Sequence, residues 1–316
     1  IRRVAQPYTC YFILIFRNIQ AFLHPPMKSL AELADILSTP RKIVITHHFN
    51  PDADALGSTL ALMHYLNAKG HTCHVVSPNT IPAFLMWLPS ATDVLVFEND
   101  KIAVTGLVAQ ADVLFSLDYN HYSRTQSMES LLKDFTGIRV IIDHHLFPDN
   151  IFHYGVSDPA KSSTCEMVYD FIAGYGDVDM IDEHIATCLY SGVITDTGSF
   201  KFSCTTASVH RMVADLMGRG LKTTPVHEAI FDTFEENRLR FLGYVLSEKM
   251  KLFQAHHAAL IPVSREEQVR FQLKTGDTEG IVNYPLSMKN VIFSTFITEK
   301  DQEIRMSFRS KGTFDV

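Results

Sequence analysis

The chain has 316 residues, 46% of them hydrophobic, with 28 Lys and Arg against 35 Asp and Glu and a formal charge of −7. That suffices for one large domain or two modest ones, and the acidity argues against a broad grip on duplex nucleic acid, which takes many phosphate contacts at once. Five scattered cysteines (Cys10, Cys73, Cys165, Cys188 and Cys204) form no CxxC pair, which argues against a disulfide framework and for a reducing cytoplasm.

Residues 1–26 open on Ile1 and contain an apolar stretch, Tyr11 to Phe16, ended at once by Arg17 and Asn18. It is too short to span a membrane and lacks a small-residue cleavage site, so an extension outside the fold is expected, with no membrane partner. From Lys28, "KSLAELADILST" has helical spacing and stops at Pro40. "KIVIT" (42–46) reads as a strand, "GSTLALMHYLNAKG" as a helix from Gly57 closed by Gly70, and "HTCHVVSP" as a strand. "ADVLFSLDYN" and "IRVIIDHH" are two more strands, apolar up to their last few positions. This alternation predicts an α/β fold whose parallel sheet is flanked by helices on both faces.

Further on, "SSTCEMVYDFIAGYG" and "MIDEHIATCLYSGVI" read as helices, the second running into "TDTGSF". "TTASVHRMVADLMGRG" opens on threonines suited to an N-cap and closes on glycines. "TPVHEAIFDTFEENRLRFLGYVLSEKM" has the pattern of one long amphipathic helix, polar enough for a connector. "HAALIPVS", "VIFSTFITEK" and "EIRMSFRSKG" predict strands of a second, smaller α/β domain. The expected organisation is an extension over 1–26, a catalytic domain over 27–222, a helical connector over 223–250 and a smaller domain over 251–316.

Three strands of the first domain finish in ionisable residues: "THHFNPDAD", "LDYN" and "DHH". In open α/β sheets the ligand crevice lies beyond the carboxyl ends of the strands. His48, Asp52, Asp54, Asp118, Asp143, His144 and His145 are therefore expected to converge, joined by Asp196 from "ITDTGSF". Carboxylates without matching Lys or Arg cannot be buried together as bare anions. A pair of divalent cations resolves this, since four aspartates and two neutral imidazoles leave a nearly neutral shell. Two metals about 3.5–4 Å apart suit an in-line phosphoryl displacement by an activated water. Mixed imidazole and carboxylate donors fit Mn²⁺ better than Mg²⁺, and the absence of cysteine argues against structural zinc. The competing readings are a solvated turn for the first motif, a strand-end turn for Asp118 and an N-cap for Asp196. Strand alternation points His47 the other way, and it is left out.

"HFNPDADALGS", "LDYN", "DHH" and "TDTGSF", in this order, resemble the four motifs of the DHH phosphoesterase family. "GDTEGIVNYPL" and "MSFRSKGTFDV" resemble its DHHA1 substrate domain. From Met27 onward the chain is most similar to the oligoribonuclease and PAP phosphatase (nano-RNase) type. The resemblance implies His48, Asp52 and Asp118 on one Mn²⁺ and Asp54, Asp118, His144 and Asp196 on a second, with Asp118 bridging. It implies His145 beside the scissile phosphate as a hydrogen-bond donor, and Asp143 orienting a histidine ligand. Arg309 matches a phosphate-binding arginine. Ile304, Met306 and Phe308 are expected to face the core of the second domain, which puts Arg305, Ser307 and Arg309 together on its other face.

The implied substrates are very short single-stranded RNA or DNA oligonucleotides and 3′-phosphoadenosine 5′-phosphate (PAP), cleaved across a cleft between the domains; homodimerisation is left open. The alternatives are a phosphodiesterase for pApA or cyclic dinucleotides, a pyrophosphatase, a RecJ-like exonuclease, and a non-catalytic nucleotide sensor. The family's glycine-rich GGGH-type motif would come after "FRSKG" and lies beyond Val316. A fragment is therefore expected, with metal binding retained and turnover vulnerable.

Overall fold

The computed structural model describes residues 27–274, 276–300, 303–314 and 316, so the extension 1–26 lies outside the described residues. The chain divides into two compact units, up to Ile230 and from Phe231 onward.

The larger unit is built on a six-stranded parallel sheet: β1 Lys42–Thr46, β2 Thr72–Ser77, β3 Leu95–Val96, β4 Val113–Leu117, β5 Ile138–Asp143 and β6 Tyr154–Ser157. Successive residues of one strand enter cores on opposite sides. Ile43 and Ile45 join Phe115 and Ile142 on one face, while Val44 joins Leu114 and Ile141 on the other. That is why these strands are apolar throughout rather than alternating. Sequence order along the sheet is β3-β2-β1-β4-β5-β6. The chain thus builds outward from β1, returns to its other side at β4 and builds outward again. A crevice opens where the direction reverses, beyond the carboxyl ends of β1 and β4.

One face is covered by α2 Ala53–Ala68, α5 Thr164–Gly174 and α6 Glu183–Asp196, with α7 Ala207–Gly218 packed behind them. The other is covered by α3 Lys101–Gln110 and α4 Glu129–Lys133 through Val104, Val108 and Leu132. Before β1, the short α1 Ala34–Leu37 follows a 3-10 turn opened by a Ser29–Glu32 capping box. The helix after β1 starts four residues earlier than Gly57, because the Asp52 carboxylate accepts the N–H groups of Asp54 and Ala55 and caps it there. Gly57 instead serves helix contact: a Cβ would lie 2.5 Å from the Cys188 carbonyl oxygen of α6.

The expected single helix over 224–250 is broken. It runs as α8 Thr223–Phe231, α9 Glu236–Tyr244 and a π-helical turn, Val245–Lys249. Val226 is buried in the core of the larger unit, whereas Phe241 and Val245 are buried in that of the smaller, so the two halves serve different cores and the chain parts between them.

In the smaller unit a four-stranded sheet runs β10-β9-β8-β7, from β7 Lys251–Phe253, β8 Ala258–Val263, β9 Phe293–Lys300 and β10 Glu303–Ser310; α10 Arg265–Arg270 follows β8. Its core gathers Ile261, Val263 and Phe296 of the sheet with Phe241, Val245, Ile281 and Val282. Here the expectation for β10 is overturned. Ile304, Met306 and Phe308 are exposed. The antiparallel register sets Arg305, Ser307 and Arg309 opposite Thr298, Phe296 and Ser294. Directly opposed residues share a face, so the polar set lies on the side of buried Phe296. Alternation specified two faces but not which one the core occupies on an edge strand.

Candidate metal centre

The polar strand ends meet in the crevice beyond β1 and β4. Donor atoms of His48, Asp52 and Asp118 lie within 4.8 Å of one another, as do those of Asp54, His144 and Asp196, and those of Asp118, His144 and His145. Asp118 belongs to two of these groups. Its Oδ2 is 3.4 Å from His48 Nε2 and its Oδ1 3.4 Å from His144 Nε2. His144 Nε2 is also 3.6 Å from Asp196 Oδ2.

Each side chain reaches this place for a local reason. His48 follows β1, and its Nδ1 lies 2.9 Å from the Phe49 carbonyl oxygen. A carbonyl only accepts, so Nδ1 carries the hydrogen and Nε2 keeps its lone pair for a cation. Asp52 spends Oδ1 on capping α2 and leaves its second oxygen available. Asp54, the second residue of α2, is fully buried and accepts the N–H groups of Thr164 (2.7 Å) and Cys165 (2.8 Å) at the start of α5. Asp118, immediately after β4, holds the left-handed conformation, φ +61, which turns its carboxylate back into the crevice. Asp196 is the last residue of α6 rather than an N-cap of the segment after it.

Asp143, at the end of β5, places Oδ1 2.7 Å from Nδ1 of His145. The histidine it orients is therefore His145, whose Nδ1 is also 3.7 Å from Asp118 Oδ1. Asp143 Oδ2 is buried without a hydrogen-bond partner. His47 is buried with Nδ1 on the His48 carbonyl and stands outside all three groups. Arg305, Ser307 and Arg309 belong to the smaller unit, where Arg309 Nη1 donates to its own Phe308 carbonyl at 2.7 Å.

Sequence reasoning missed two supports. Thr164 donates its hydroxyl to Asp118 Oδ1 at 3.1 Å while its N–H serves Asp54, so one residue ties both carboxylates. Asn79, at the end of β2, forms a reciprocal amide pair with Asn50: Asn50 N–H donates to Asn79 Oδ1 (2.7 Å), and Asn79 Nδ2 donates to Asn50 Oδ1 (2.9 Å). That pair braces the turn carrying Asp52. A polar residue at the end of a neighbouring parallel strand was the available signal for Asn79.

Electrostatically the carboxylates of the centre crowd one another, with histidines as their paired basic groups. Burial, then the Asp118 charge, pushes Asp54 up to about 7. Burial, then the Asp54, Asp52 and Asp118 charges, holds Asp196 well above the usual carboxylate range, and burial followed by Asp118 raises Asp52. Burial would raise Asp118 too, but hydrogen bonds from His144 and His48 outweigh it and hold this carboxyl low. Burial would lower His144, yet the Asp118 hydrogen bond and the Asp54 charge carry it up to about 9. Among the described residues no Lys or Arg pairs with Asp52, Asp54, Asp118 or Asp196. Oxygen and imidazole donors sharing one carboxylate fit divalent metal ions, and no thiol joins any of the groups.

Known proteins resemble the chain along most of its length. The sequence profile of the DHH family, N-terminal domain, matches residues 42–193. The bifunctional oligoribonuclease and PAP phosphatase NrnA of Thermus thermophilus is 29% identical over 286 residues, spanning 90% of this chain and 81% of that protein. The probable bifunctional oligoribonuclease and PAP phosphatase NrnA of Streptococcus mutans is 28% identical over 274 residues, 86% and 82% of the two chains. The crystal structure of an exopolyphosphatase-related protein from Bacteroides fragilis superposes with a TM-score of 0.87 at 36% identity, covering 90% of this chain and 84% of that one.

Proposed function

Since this chain belongs to the DHH family and is a phosphoesterase, we propose that it hydrolyses very short single-stranded oligonucleotides and PAP with two Mn²⁺ ions. The observation that carries the reading is the convergence of three donor groups, two sharing Asp118 and two sharing His144, with no Lys or Arg paired to their carboxylates among the described residues. The substrate class rests on the activities named for the Thermus and Streptococcus relatives.

His48, Asp52 and Asp118 would hold one ion and Asp54, Asp118, His144 and Asp196 the other. When bound, such a pair supplies the positive charge that stabilises attacking and leaving oxygens in phosphoryl displacement. The chain's own residues do the rest. Asp143 accepts from His145 Nδ1 and so fixes the ring with Nε2 turned away from itself; with a hydrogen on both nitrogens, His145 would donate from Nε2 to a phosphoryl oxygen. Thr164 and the start of α5 fix Asp54 and Asp118 before substrate arrives, so neither carboxylate has to be ordered during the reaction. We assign residues 27–222 to catalysis, 223–250 to a connector and 251–316 to substrate binding, with Arg309, aided by Arg305 and Ser307, gripping a terminal phosphate. The scattered cysteines support a cytoplasmic setting.

Hydrolysis of 5′-pApA, PAP and pyrophosphate, each with Mn²⁺ and with EDTA, tests this. AMP released from the first two only with metal, and lost in Asp118→Ala, is expected. Turnover indifferent to EDTA or to Asp118→Ala would overturn the mechanism, and turnover of pyrophosphate alone would overturn the substrate.

A further inference from the structure

We propose that Phe147 is the platform on which a nucleobase of the substrate stacks beside the metal centre; this rests on the phosphoesterase reading above. Phe147 is 80% exposed, and its neighbour Leu146 is exposed as well. Its backbone is held at φ +59, a conformation that aromatic residues rarely adopt and that nothing in its own side chain rewards. Exposure and strain together single the residue out as a candidate for function.

The loop carrying it is pinned. The Leu146 carbonyl accepts from Asn120 Nδ2 at 2.6 Å, and Asp149 N–H donates to the Asn120 carbonyl at 2.9 Å. Asp149 Oδ1 lies 2.6 Å from His121 Nδ1, and the His145 carbonyl accepts from Ser157 Oγ at 2.9 Å. The segment after β5 is thus tied to the residues following β4 on one side and to β6 on the other, and the ring is presented on a fixed mount.

Its place identifies the occupant. Phe147 follows His145 by two residues, so their Cα atoms are at most about 7 Å apart, comparable with the reach from a phosphate to its own base. A two-residue apolar tip is too small for a protein partner but matches one base face. Asp149, the nearest carboxylate along the loop, is already engaged by His121. Stacking on an aromatic ring tolerates every base, which suits an enzyme that degrades oligonucleotides of any sequence.

The test is steady-state hydrolysis of pApA and of two analogues, each lacking one adenine, by wild type, Phe147→Ala and Phe147→Trp, with Mn²⁺ affinity followed by calorimetry. Phe147→Ala is expected to raise KM for pApA about 5- to 100-fold, the worth of one stacked base, with Mn²⁺ affinity unchanged. Phe147→Trp is expected to retain wild-type KM. Removing the stacked adenine is expected to cost wild type the same factor and to cost Phe147→Ala nothing more. An unchanged KM in Phe147→Ala, or an equal loss on all three substrates, would overturn the stacking role. Absence of pApA and PAP turnover in wild type would instead overturn the phosphoesterase reading beneath it.

Discussion

Thr164 joins two carboxylates of the candidate metal centre, donating its hydroxyl to Asp118 and its N–H to Asp54. Thr164→Val keeps the backbone donor and the side-chain shape but leaves Asp118 Oδ1 without its hydroxyl. Removal of a partner that orients a ligand typically costs 10–100-fold in metal affinity. Mn²⁺ titration of Thr164→Val is therefore expected to show at least about a tenfold weaker site, with Thr164→Ser restoring most of it; equal affinity in all three proteins would disprove the support. The residues gathered at the centre were legible in the sequence because charged side chains at the ends of apolar strands have no place in a core. Thr164 was not legible. It lies beside Ser163, whose hydroxyl caps α5, so it reads as part of a helix start, and its bond to Asp118 joins positions 46 residues apart.

The close approach of α2 and α6 depends on small residues at their contact. A Cβ on Gly192 would lie 2.5 Å from Asp54 Oδ1 and 2.4 Å from Cys165 Sγ. Gly192→Ala is expected to destabilise the protein by about 1–3 kcal/mol, as overpacking does, and to weaken metal binding by displacing Asp54. Gly106, in the middle of α3, meets nothing within 4 Å. Gly106→Ala is expected to stabilise by about 0.5–1 kcal/mol, through the helix propensity of alanine alone. Urea midpoints moving in opposite directions would bear this out, and a destabilised Gly106→Ala would refute it. Elements were legible where one periodicity dominated, as for β1, β4, β5 and α5 to α7. Helix α3 was not, because "KIAVTGLVAQ" mixes β-branched residues with a glycine and carries little helical signal. Strand β6 is only four residues long. The connector read as one helix because amphipathic spacing continues through Asp232–Glu235, although the apolar residues on either side enter different cores.

At the scale of the whole chain, the smaller unit has a core of its own, apart from those on the two faces of the larger sheet, so the two units answer to different agents. Metal ions should stabilise the larger unit, where the donor groups lie, while the smaller depends on ion pairs that acid removes. Glu267 is the clearest case. Its carboxylate accepts from Tyr244 Oη (2.5 Å) and Lys249 Nζ (2.7 Å), and from the Ser264 N–H (2.8 Å) that begins α10. Burial alone would raise it, but the Lys249 and Tyr244 hydrogen bonds outweigh burial and hold the group at about 2. A carboxyl lower in the folded than in the unfolded chain, where it titrates near 4.3, contributes stability above that value and loses it as pH falls toward 2. Glu267→Gln is therefore expected to destabilise the smaller unit at pH 7 by about 2 kcal/mol, the scale of hydrogen bonds to a charged group. Variant and wild type should then converge between about pH 4.5 and pH 2. Amide exchange in β8 and β9, corrected for its intrinsic pH dependence, reads this directly, with amides near Asp118 in the larger unit as the internal control. A difference independent of pH would mean that Glu267 acts through packing rather than charge.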